Sequence, residues 1–218
     1  MNKRQIFRID KLGRVPTNKV LVRIDKIYKE GDKVGSIIIP DTEWNPQDYT
    51  VRYGTVVQVC DTLRMRTSKV SGLEHKTVIE VQEGDVVYFG KIASANAPIF
   101  LLGGTVYYLL NYSDLIVRKR DDLYPLNGYV LLEKVTEKVR RDGLILDFGD
   151  FQNMRLGIVR YVGRKNDYYF GTDAVDADVE VGEEVVFEGN FWTALESEMF
   201  RTVDALGYCQ RCWIIAGL

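Results

Sequence analysis

The chain has 218 residues, 46% of them hydrophobic and 28% charged, and its 29 lysines and arginines against 31 aspartates and glutamates give a formal net charge of −2. That supply of apolar side chain is enough to bury a core, which excludes a disordered chain. The near balance of charge argues against nucleic acid as a partner, because phosphate contacts need a concentrated basic surface.

Residues 1–14 are charged and lack an apolar h-region, so no secretory signal is expected. Residues 19–26, Lys-Val-Leu-Val-Arg-Ile-Asp-Lys, alternate from Val20 onward and predict a strand. Short runs of Val, Ile, Tyr and Leu at 53–60, 77–81, 85–89, 106–110 and 114–118 predict further strands, punctuated by Gly, Asn and Asp. The most apolar stretch, 97–112, is interrupted by Pro98 and Gly103-Gly104. It falls short of the ~18–20 apolar residues of a spanning helix, so no membrane partner is expected. Arg118-Lys119-Arg120 and residues 138–141 are short basic runs, each followed by acidic residues, and read as solvated turns. No window shows a sustained helical stripe; residues 193–201 come nearest and are short. Residues 207–215 read as another strand. Many short strands with close turns imply an all-β, antiparallel barrel or sandwich. They leave no βαβ unit and no phosphate-binding glycine loop for a nucleotide.

Cys60, Cys209 and Cys212 are the three cysteines, a count that suits a reducing compartment such as the cytoplasm and no disulfide framework. Cys209-Gln-Arg-Cys212 has the spacing of a metal or redox motif. Only Cys60 and the single histidine, His75, could complete a zinc site, and on a strand residues i and i+3 point to opposite faces. Neither a metal nor a cofactor is expected. No Ser/His/Asp, Cys/His or clustered carboxylate arrangement is present, so the chain does not read as an enzyme.

The strongest feature is an internal repeat. Pro16-Thr-Asn-Lys-Val-Leu-Val returns as Pro125-Leu-Asn-Gly-Tyr-Val-Leu-Leu. Gly35-Ser-Ile-Ile-Ile-Pro-Asp returns as Gly143-Leu-Ile-Leu-Asp, and Tyr53-Gly-Thr-Val-Val-Gln-Val as Leu156-Gly-Ile-Val-Arg-Tyr-Val. Val81-Gln-Glu-Gly-Asp-Val-Val-Tyr-Phe returns as Val179-Glu-Val-Gly-Glu-Glu-Val-Val-Phe, and Asp114-Leu-Ile-Val faces Cys212-Trp-Ile-Ile. The separation between copies shrinks along the chain, so the loops are shorter in the second copy. The chain therefore reads as two β units of about 100 residues each, a common domain size, with a boundary at 1–120 and 121–218.

In this order, each half resembles the co-chaperonin (GroES) family, the lids of the chaperonin GroEL. The resemblance covers roughly 16–117 and 125–216. It implies two tandem GroES-like irregular β-barrels, a ring of several copies, and a GroEL-type chaperonin as partner, with ATP bound by that partner. It also implies that an apolar tripeptide on a mobile loop docks in the chaperonin. By position this is Ile37-Ile38-Ile39 in the first half, between Gly35-Ser36 and Pro40. In the second half it is Leu144-Ile145-Leu146 after Gly143. Residues 29–33 and 137–142 are charged, flexible flanks, and a three-residue apolar plug between them suits an anchor buried only on binding. A buried edge strand or a barrel plug is the competing reading of the same residues. The family's rings are sevenfold, and a tandem pair does not fill seven positions evenly. Two segments depart from the family: 60–76 is longer and basic, and 164–178 is acidic and carries Tyr168-Tyr169-Phe170. The alternative function is a structural or viral assembly protein that reuses the fold without binding a chaperonin.

Overall fold

The computed structural model describes residues 6–24, 33–34, 37–38, 52–66, 74–135, 140–141, 144–145, 154–165, 177–188, 193–195, 206–211 and 214–217. The chain divides into two compact units, Met1–Met65 with Glu74–Arg120 and Arg66–Leu73 with Asp121–Leu218.

The first unit contains β1 (Ile6–Arg8), β2 (Lys19–Ile24), β3 (Lys33–Val34), β4 (Ile37–Ile38), β5 (Tyr53–Val59), β6 (Leu63–Arg66), β7 (Glu74–Thr77) and β8 (Val86–Phe89). A six-residue helix α1 (Lys91–Asn96), β9 (Ile99–Leu102), β10 (Thr105–Asn111), a 3-10 turn at Tyr112–Asp114 and β11 (Leu115–Lys119) complete it. Its sheet runs β1-β9-β10-β2-β5-β8-β11. The pairings are antiparallel except β1 on β9, which is parallel and stacks Phe7 on Phe100 with ring centroids 5.4 Å apart. Strand β2 shows why these residues form the centre. Val20, Val22 and Ile24 alternate onto one buried face, and Leu21 turns the other way into a smaller cluster with Val15 and Cys60.

The second unit contains β12 (Leu123–Pro125), β13 (Tyr129–Lys134), β14 (Arg140–Arg141), β15 (Leu144–Ile145), β16 (Met154–Val162), β17 (Glu184–Glu188), β18 (Thr193–Ala194), β19 (Leu206–Gln210) and β20 (Ile214–Gly217). Its sheet runs β18-β19-β13-β16-β17-β20. This is the order β9-β10-β2-β5-β8-β11 over again, strand for strand. The core gathers Val130, Leu132, Val159, Val179, Val185, Phe187, Cys209 and Ile214.

The likeness extends to irregularities. The β2–β5 pairing shifts register between Leu21 and Val22, and β13–β16 shifts between Leu131 and Leu132. Before β8, Gly84 turns at φ +91°; before β17, Gly182 turns at φ +92°. That left-handed conformation is one only glycine adopts without strain. In both turns the following carboxylate accepts a backbone amide, Gln82 N to Asp85 Oδ2 and Glu180 N to Glu183 Oε2, each at 2.8 Å.

The fold is all-β apart from α1, in line with the sequence. Both sheets are open in strand order, with no pairing among the described residues that closes a barrel. Several boundaries differ. The strand expected at 77–81 lies at Glu74–Thr77, because the Glu80 amide donates to the Tyr112 hydroxyl (2.7 Å) instead of a ladder. Helix α1 was not anticipated; it stops where Pro98 forces Ala97 into extended backbone, ψ 134°. The strand expected at 207–215 breaks at Arg211, whose amide donates to Gly128 O (3.0 Å). The basic run at 118–120 is no solvated turn either. Arg118 and Lys119 are in β11, and Arg120 forks onto Asp85.

Candidate functional site

Both apolar segments lie in the same connection of their units, between β2 and β5 and between β13 and β16. Each forms a two-stranded ribbon separate from the unit's main sheet. In the first, β3 pairs antiparallel with β4, Lys33 opposite Ile38 and Val34 opposite Ile37. In the second, β14 pairs with β15, Arg140 opposite Ile145 and Arg141 opposite Leu144. Two residues separate the strands in each case, Gly35-Ser36 and Asp142-Gly143, which are the pairs that two-residue hairpin turns favour. Of the expected site residues, Ile37, Ile38, Leu144 and Ile145 are thus strand residues at matched positions. Gly35, Ser36, Ile39, Pro40, Gly143 and Leu146 lie outside the described residues.

Part of each charged flank is therefore paired with the apolar segment. Val34 was not singled out from sequence, and Lys33, Arg140 and Arg141 were read only as charged flank or solvated turn. The signal that could have found them is the Gly-Ser or Asp-Gly pair set between a short flank and an apolar run.

The connections after β5 and β16 are each held by a residue at one matched position. In the first, Tyr112 is buried and its hydroxyl holds Glu80. Asn18, in the left-handed region at φ 63°, clamps Arg64 by donating to its carbonyl (2.6 Å) and accepting from its amide (2.7 Å). In the second, the buried Arg211 guanidinium donates to the carbonyls of Gly163 and Ala177, one before and one after residues 166–176 in the chain. Its neighbour Asp178 bonds Lys165. The Lys165 ammonium, and beyond it the Arg211 charge, hold the Asp178 carboxyl below its usual range.

Among the described residues the most buried carboxylate is Asp85. Burial pushes its pKa up. The Arg120 fork (2.7 and 2.9 Å), the Gln82 amide and the charge of Arg118 outweigh that and leave it below the ordinary aspartate value. This is a structural ion pair under the β8 turn, remote in sequence from both ribbons.

The cysteines do not assemble a site. Cys209 is fully buried in the second core and Cys60 is buried beside Val15 and Leu21. Cys212 lies outside the described residues. Among the described residues no group of three His, Cys, Asp or Glu side chains could hold a metal ion. No helix among them is long and apolar enough to cross a membrane.

The first unit is thus a largely antiparallel β domain with a ribbon-bearing connection after its first central strand and a Gly-Asp turn before β8. Residues 15–118, from the lead-in to β2 through most of β11, match the family model of Cpn10, the chaperonin 10 Kd subunit. No curated protein matches the chain.

Proposed function

We propose that the chain is a tandem co-chaperonin that caps a GroEL-type chaperonin and assists ATP-dependent protein folding. The carrying observation is the Cpn10 match over 15–118, which encloses the Ile37–Ile38 ribbon. The second unit repeats the first unit's strand order, bulge and glycine turn, which supports reading it as a second domain of the same kind. In this reading Ile37-Ile38-Ile39 and Leu144-Ile145-Leu146 are the docking anchors. The chain forms a homo-oligomeric ring in the cytoplasm, performs no catalysis of its own and leaves ATP to the chaperonin.

The energetics suit reversible capping. Burying apolar tripeptides yields ~0.8 kcal/mol per CH2, offset by ~1–2 kcal/mol of backbone entropy per residue ordered. A single loop is therefore a weak binder. A ring that presents several loops at once gains through effective concentration, so modest changes in the partner's surface switch binding on and off.

The test is cosedimentation with a GroEL-type chaperonin, with and without ATP, for the wild type and Ile38→Asp. Nucleotide-dependent binding that the substitution weakens is expected, since an unpaired charge in an apolar groove is strongly unfavourable. Folded rings that bind under no nucleotide condition overturn the reading and leave the structural-assembly alternative.

A further inference from the structure

The two halves of the chain carry opposite charge on one strand order. Residues 1–120 hold 19 lysines and arginines against 13 aspartates and glutamates, and residues 121–218 hold 10 against 18. Formal charges of +6 and −8 therefore divide a chain that is nearly neutral as a whole. Folding asks for neither sign, so a split of this size bears on association.

In the first unit the cations gather beside exposed aromatic surface. Residues 6–24 contain Arg8, Lys11, Arg14, Lys19 and Arg23 against a single acid, Asp10. Directly opposed residues of paired strands share a face. The registers set Phe7 beside Phe100, Phe100 opposite Tyr107, Tyr107 opposite Arg23 and Arg23 opposite Thr55. This row crosses β1, β9, β10, β2 and β5, and no member of it is buried. Phe7 is 42% exposed, and its neighbours Ile6 and Arg8 are exposed with it. In the second unit the acids gather at the turn before β17. Residues 177–188 contain five aspartates and glutamates and no base. Val181 stands in that turn 65% exposed, where the matching turn of the first unit has Glu83. Each surface thus sets exposed apolar side chains among charges of one sign, and the signs are opposite.

We propose that copies of the chain associate head to tail, the acidic Val181 turn of one copy seating on the Phe7–Phe100–Tyr107–Arg23 face of the next. This deepens the ring in the reading above and rests on that part of it alone. Two copies meeting through the same surface would set acid on acid or base on base, which is unfavourable. Unlike surfaces bring Val181 to the aromatic row and Glu180 and Glu184 to Arg8 and Arg23. Such a contact is heterologous, so every copy offers one surface of each kind and the chain of contacts ends only by closing.

The experiment is sedimentation of the full chain without a chaperonin, at low and raised salt. Between about 50 and about 500 mM KCl, wild-type association should weaken about tenfold as the charges are screened. Arg8→Glu/Arg23→Glu and Glu180→Lys/Glu184→Lys should each associate at least about tenfold more weakly at low salt. Mixing the two variants should restore association to within about threefold of the wild type, because each supplies the surface the other has reversed. Val181→Ser changes no charge and should weaken association about fivefold with the salt dependence kept. Charge variants that associate like the wild type overturn the proposal, as does a mixture of folded variants that stays apart, or a Val181→Ser variant of unchanged affinity. A wild type that associates equally at both salts overturns it while leaving the ring. A wild type that is monomeric at both removes the ring as well and leaves chaperonin docking to the cosedimentation. A monomeric wild type that takes up a single-stranded oligonucleotide through Arg8 and Arg23 assigns the face to another polyanion and also overturns it.

Discussion

Replacing Asp85 with asparagine should destabilise the first unit by about 2–3 kcal/mol at neutral pH. The side chain is 1% exposed and accepts three hydrogen bonds, two from Arg120 and one from the Gln82 amide. Asparagine keeps one acceptor oxygen but turns an NH2 group toward the guanidinium. Breaking a buried pair from one side typically costs 3–5 kcal/mol. The Arg120 side chain is 36% exposed, so water recovers part of its loss, which sets the lower figure. The pH dependence carries the sign. A carboxyl held below its ordinary value stabilises the fold above the unfolded pKa, about 3.9, and that contribution fades as pH falls through the lower folded value. Wild type and Asp85→Asn should therefore differ at pH 7 and converge in acid, below the lowered folded value. Urea denaturation at both pH values measures the difference, and hydrogen exchange of β8 amides assigns it to this unit. A loss below about 0.5 kcal/mol at pH 7, the range of an ordinary surface substitution, or an undiminished gap in acid refutes the reasoning.

Gly54→Ala should destabilise the first unit by about 3 kcal/mol, the upper range for overpacking. A Cβ there would sit 2.4 Å from the Arg23 carbonyl oxygen and 2.6 Å from Val22 Cγ1, and urea unfolding reads the loss. Arg211→Met keeps much of the side chain's bulk but removes the donors to Gly163 and Ala177, for about 1–3 kcal/mol. Hydrogen exchange should rise at 163–165 and 177–179 and stay unchanged in β13.

The central strands were legible because their β-branched residues alternate in a pattern only a half-buried strand requires. Val20-Leu-Val and Val130-Leu-Leu are the clearest case. The repeat was legible for the same reason, with one slip. Facing Asp114-Leu-Ile-Val with Cys212-Trp-Ile-Ile places Trp213 where the structure places Ile214, the residue that pairs with Phe187 as Leu115 pairs with Phe89. Both pairings contain a register shift, and a bulge adds a residue without changing the apolar pattern. The ribbons' apolar halves were found and their basic halves were not. A two-residue strand is too short for periodicity, and charge made residues 29–33 and 137–142 read as flexible. Asp85 and Arg120 were invisible as a pair, since nothing local connects a turn residue to a cation at the far end of β11.

The shared strand order has a consequence for folding. Strand β2 must wait for β10, so Ile24 meets Val106 only after most of the unit's chain has been made. Strand β13, which follows β10 closely in the chain, carries nearly the same apolar register, and an exchange of equivalent strands is the hazard of any chain built from similar units. The sequence differs where the exchange would be felt. Arg23 in β2 corresponds to Glu133 in β13, and Glu133 accepts from Arg160 Nε at 2.7 Å, at the bulge where the first unit has Val57. A β13 lodged in the wrong sheet would leave its carboxylate beside a valine. One reversed charge on otherwise interchangeable strands thus helps each to find its own neighbours.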